Sequence, residues 1–139
     1  MKKYYFYSIN ESFYDLFAGD NKKAFLELFY RKNDSVYYEK QFSLFLNDIN
    51  INQIIDVIDE KYSSRKDYRK EHNKIILRNF ITSNNEILTY DKENICIETD
   101  YECSPFIKTL ADYFPDLVCI DANKCKIDSI GLVSSINIR

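Results

Sequence analysis

The sequence predicts a mixed α/β (α+β) fold: one compact domain over residues 1–139, with a mixed, mostly antiparallel sheet of about five strands flanked by three to four helices. Three observations carry this. Of 139 residues, 45% are apolar and 16% aromatic, enough for a core; a chain of this length buries roughly 68% of its unfolded surface, and two independent cores do not fit. The hydrophobic period switches repeatedly between about 2 and 3.6, giving the order β-α-α-β-α-β-β-β-α-β-β without an internal repeat. Charge is nearly balanced, 19 Lys plus Arg against 22 Asp plus Glu, with abundant Ile, which excludes intrinsic disorder.

The elements follow in chain order. Lys3 to Ile9 alternates and is rich in Tyr and Phe, as a half-buried strand requires, sending Tyr5 and Tyr7 to one face and Tyr4 and Phe6 to the other. Asn10 can cap a short helix through Phe17, with Glu11 and Asp15 complementing its positive end and Gly19 as its stop. Asp20 can cap a second helix over residues 21–31, on which Phe25, Leu28 and Phe29 form an apolar stripe. Residues 32–35 read as a loop and 38–46 as a short strand. Ile51, Ile54, Ile55 and Ile58 recur at helical spacing over residues 50–61. The charged stretch from Tyr62 to Lys70 is expected to be a mobile loop.

Three strand-like runs come next, over residues 74–79, 86–90 and 94–98, the last two close enough for a hairpin. Ser104-Pro105 opens a helix through Phe114, since Pro at the first helical position forfeits no hydrogen bond, and Phe106, Ile107, Leu110 and Phe114 face inward. Pro115 stops it. Residues 117–121 and 126–133 are the last strands, separated by a turn.

The composition removes whole classes of function. Gly19 and Gly131 are the two glycines, so no glycine-rich loop can cradle a phosphate. No Gly-x-Ser-x-Gly occurs, no Cys neighbours the single histidine, His72, and the carboxylates Asp56, Asp59 and Glu60 read as a solvated helix face. An enzyme is not expected, and neither is a cofactor. The four cysteines, Cys96, Cys103, Cys119 and Cys125, match no zinc spacing. The start Met1-Lys2-Lys3-Tyr4-Tyr5 carries no apolar segment of signal-peptide length, so a cytoplasmic protein with reduced thiols and no membrane segment is expected.

Two stretches suggest binding. Arg65, Lys66, Arg69 and Lys70, interleaved with Tyr62 and Tyr68, could grip nucleic acid through phosphates and stacked bases. The isoelectric point near 5.2 and the interrupting Asp67 and Glu71 disfavour direct nucleic-acid binding, which stays the alternative reading. The second is aromatic density near the N-terminus, from Tyr4 to Tyr30. A sheet and two short helices are not expected to bury all of it, leaving a protein-binding patch on the first helix, where Tyr14 cannot share one seam with Phe13 and Phe17.

The opening Tyr4-Tyr5-x-Tyr7-x-Ile9-x-Glu11-x-Phe13, then Phe17, Gly19 and Phe25-x-Glu27-Leu28-Phe29, resembles the SirA family, the sporulation inhibitors of replication. Asp100-Tyr101-Glu102, the helix through Tyr113 and Leu117-x-x-Ile120-Asp121 follow in the order of that family's C-terminal part, and Glu39-Lys40-Gln41 and Asp67-Tyr68-Arg69 also find counterparts. The resemblance implies an α/β protein, monomeric alone, that binds the N-terminal domain of the replication initiator DnaA and inhibits initiation during commitment to sporulation. It places partner contacts on Phe13 and Phe17, with Tyr14 beside them, and a polar contact on Gln53. Two departures are visible: Ile130-Gly131-Leu132 lacks the family's Trp, and Phe17 stands where the family has a tyrosine.

Overall fold

In the computed structural model, residues 1–10, 21–92 and 94–131 are described. Their elements are β1 (Lys2–Ile9), α1 (Asn21–Arg31), α2 (Val36–Ser43), β2 (Leu46–Asn47), α3 (Ile51–Tyr62), β3 (Tyr68–Glu71), β4 (Lys74–Arg78), β5 (Asn85–Tyr90), β6 (Ile95–Thr99), α4 (Pro105–Tyr113), β7 (Val118–Asp121) and β8 (Lys126–Ser129). The class is α+β, with four helices and one open antiparallel sheet among these residues. Eight strands form it, in the order β3-β4-β5-β6-β1-β7-β8, and β2 pairs with the far end of β1.

β1 is the centre because its aromatics serve both faces. Tyr4 and Phe6 pack with Ile54, Ile58, Leu88, Ile97 and Leu110 under α3 and α4. Tyr7 and Ile9 pack on the opposite face with Phe25, Phe29 and Phe42 of α1 and α2, over β7 and β8. The alternation along β1 therefore holds as expected. Register follows: Tyr4 stands opposite Ile97 of β6 and Asp121 of β7, and Phe6 opposite Ile95 and Cys119.

Several expectations are corrected. Residues 36–43, which fall mostly within the expected strand, form α2, because Ser35 caps its first turn by accepting the Tyr38 N–H and Phe42 is drawn into the aromatic cluster, 5.2 Å from the Tyr7 ring and 5.1 Å from the Phe25 ring. Of that stretch, only Leu46 pairs in the sheet, with Asn47 next to it. The stretch expected to be a mobile loop ends in an edge strand, since Tyr68 and Lys70 both reach Asp59 on α3 and hold β3 against β4. The sheet has eight strands where about five were expected, β3 being one that adds to it. β8 ends at Ser129 rather than residue 133. Beyond its expected cap Asn10, the expected helix through Phe17 and its stop at Gly19 lie outside the described residues.

The aromatic surplus is also smaller than expected. Tyr4, Phe6, Tyr7, Phe25 and Phe29 are all buried and Tyr5 is half-buried, while Tyr30 is 48% exposed. A sheet with helices on both faces has two cores to fill, and Phe and Tyr fill them.

Candidate partner-docking site

β1 delivers the chain to one end of the sheet. Ser8 and Ile9 pair with β2, the Asn10 N–H donates to the Phe45 carbonyl at 2.8 Å, and the Asn47 side chain donates to the Ile9 carbonyl at 3.3 Å. Residues 11–20, which include Phe13, Tyr14 and Phe17, continue from this anchored point and lie outside the described residues.

Gln53 stands at the same end. Asn50 caps α3 by accepting the Gln53 backbone N–H at 3.2 Å, and the Gln53 side chain is exposed on the first helical turn. The end of α3 meets the start of α4 through Tyr62, and Gln53 and Ile54 at the start of α3 line one cleft with Tyr113 and Phe114 at the end of α4, so the two helices run antiparallel. Between them and β1 opens a cleft of about 230 Å³, lined by Ser8, Ile49, Gln53, Ile54, Tyr113 and Leu117 among others. The structure thus brings Gln53 to the strand from which residues 11–20 depart, although more than forty positions separate them in sequence. Tyr113 is 60% exposed, yet its spacing of seven from Phe106 and three from Leu110 aligns it with the buried Phe106–Ile107–Leu110 stripe, so the sequence pattern alone does not mark it as a site residue.

The basic stretch has a different geometry. Arg65 forms a two-pronged pair with Asp67 at 2.9 and 2.6 Å, Arg69 meets Glu71 at 2.9 Å and Lys70 meets Asp59 at 2.7 Å. Burial pushes the Asp59 carboxyl up, but the Lys70 ammonium and the Tyr68 hydroxyl together hold it below its ordinary value. Tyr62 is buried, its hydroxyl 2.9 Å from Thr109 Oγ1 and 3.1 Å from the Pro105 carbonyl oxygen, and Tyr68 donates to Asp59. Neither ring is presented for stacking on a base, and three of the four cations already hold carboxylates.

Elsewhere the buried polar residues are Glu86, Thr99, Ser104 and Thr109 among the described residues. Glu86 on β5 is fully buried at the N-terminus of α4, where its carboxylate accepts from Ser104 Oγ and from the Phe106 N–H at 3.2 Å. Burial pushes it up to about 7 against those donors. Cys119 is buried, Cys96 half-buried and Cys103 and Cys125 exposed, and no group of three or more His, Cys, Asp or Glu among the described residues could hold a metal ion. No helix among the described residues is long and apolar enough to cross a membrane.

A scan against protein-family models finds no match to this chain, and a search of curated proteins finds none either.

Proposed function

We propose that this protein is a regulatory inhibitor of replication initiation, which acts in the cytoplasm by binding the N-terminal domain of DnaA during commitment to sporulation. The observation that carries the reading is the convergence at one end of the sheet: Gln53, the polar contact that the SirA resemblance implies, shares a cleft with Ser8, three residues before the chain enters the segment bearing Phe13, Tyr14 and Phe17. The pattern behind the resemblance supports it as well. Tyr4, Tyr7, Ile9, Phe25, Phe29, Leu117 and Ile120 are buried, so these positions are the ones that build β1, α1 and β7 into a scaffold. Gln53 is exposed on that scaffold. The protein works as a monomer without a cofactor, its effect being occupation of the DnaA surface.

The test is capture of the isolated DnaA N-terminal domain by the purified protein and by Phe13→Ala, Phe17→Ala, Tyr14→Ala and Gln53→Ala variants, with the melting temperature of each recorded. Truncating an interface anchor costs about 2 kcal/mol or more of binding and leaves stability alone, whereas truncating a core Phe costs about 3–5 kcal/mol of stability. Loss of capture by Phe13→Ala and Phe17→Ala at unchanged melting temperature is expected, with a smaller loss for Gln53→Ala. Folded wild-type protein that captures nothing at tens of micromolar defeats the reading.

A further inference from the structure

The cleft beside Gln53 specifies the chemistry of what it holds, an inference that rests on the docking reading above. Its floor is apolar, with Ile54 and Leu117 buried and Ile49 at its edge. Its rim carries two carboxylates, Asp48 where the chain enters α3 and Asp116 just after Pro115. Both are exposed, and neither has a cationic partner among the described residues. This contrasts with the opposite end of α3, where Asp59 and Asp67 each hold a Lys or Arg within 2.7 Å. At this edge the Lys92 carbonyl oxygen accepts the Ile49 N–H at 3.0 Å.

An open cleft of about 230 Å³ is below the roughly 300–1,000 Å³ of small-molecule sites. It matches one large apolar side chain set into a broader protein surface. Unpaired carboxylates at the edge of such a floor attract cations, steer their approach and penalise an acidic partner.

We propose that the cleft receives an apolar side chain flanked by lysine or arginine on the partner's surface. The apolar group rests on Ile49, Ile54 and Leu117, the cations face Asp48 and Asp116, and the Gln53 amide bonds a polar group between them. The partner's contact segment is thus basic and apolar, complementary to a chain whose formal net charge is -3.

Association of the isolated DnaA N-terminal domain with the full chain is followed by stopped flow at about 50 and about 500 mM NaCl, where screening lengths differ several-fold. For the wild type, the association rate falls about tenfold with added salt. The D48K/D116K variant associates about tenfold more slowly at low salt and loses that salt dependence, and D48N/D116N falls between. Both positions are exposed and unpaired, so melting temperatures stay at the wild-type value; should the lysine variant fail to fold, D48N/D116N and the wild-type salt series decide alone. Binding of the domain with a flat salt response, or with both variants indistinguishable from wild type, overturns the charge assignment and leaves the proposed function standing. Absence of binding by folded wild type at either salt overturns the proposed function and this inference with it.

Discussion

Glu86→Gln isolates one buried carboxyl and yields a pH signature of known sign. Glu86 is 0% exposed and reaches from β5 to the start of α4, where Ser104 Oγ and the Phe106 N–H donate to it. Burial raises its pKa and is opposed by the donors Ser104, Phe106 and Thr99, with a net rise from 4.5 to about 7. Below pH 4.5 the folded and unfolded chains both hold the proton. Between there and about pH 7 the unfolded chain releases it while the folded chain keeps it, so the stability due to Glu86 is full at low pH and is lost as pH rises through the window. A rise from 4.5 to about 7 corresponds to about 3 kcal/mol at the extreme. Gln cannot titrate, so urea unfolding of wild type and Glu86→Gln at pH 4.5 and pH 8 should show the variant gaining about 3 kcal/mol relative to wild type at the higher pH. Parallel pH curves refute the reasoning. A wild type that gains on the variant as pH rises refutes it more directly, because the α4 N-terminus would then be stabilising an ionised carboxylate.

Phe42→Ala should cost about 3–5 kcal/mol in urea unfolding, because Phe42 is 4% exposed and packs against Tyr7, Phe25 and Phe29. Tyr68→Phe removes the hydroxyl that reaches Asp59 and should lower stability by about 1 kcal/mol, with the amides of β3 exchanging faster by hydrogen-exchange mass spectrometry. With a thiol reagent at neutral pH, Cys103 and Cys125 should react first, Cys96 slowly because burial pushes its thiol up to about 11, and Cys119 at the rate of unfolding.

Residues with one dominant local signal were legible in the sequence. Ser104-Pro105 and the Phe106–Leu110 stripe place α4, and the isoleucines place α3, because cap chemistry and a 3.6 period act within a few residues. Residues 36–43 show the opposite. Their polar Glu39-Lys40-Gln41 core and clustered Phe42, Leu44 and Phe45 satisfy neither period, and the helix is selected by Phe42 meeting Tyr7 and Phe25 from elsewhere in the chain. β3 escaped for the same reason, as its tie is to Asp59 in a different element. At the candidate site, Gln53 came from the resemblance, while Asp48, Tyr113 and Asp116 had no motif to mark them.

The sequence by itself determined the α+β class, the principal helices and strands, and the alternation that sends Tyr4 and Phe6 to one face of β1 and Tyr5 and Tyr7 to the other. Those properties follow from side-chain periodicity and capping, which neighbouring residues settle among themselves. Tertiary structure decided that β1 lies between β6 and β7, that helices cover both faces and bury Tyr4, Phe6, Tyr7, Phe25 and Phe29, that the basic residues of the Tyr62 to Lys70 stretch are mostly paired, and that Gln53 meets the end of β1 over an apolar floor rimmed by Asp48 and Asp116. Each of these depends on contacts between distant segments, whose selection is governed by which surfaces can be buried together.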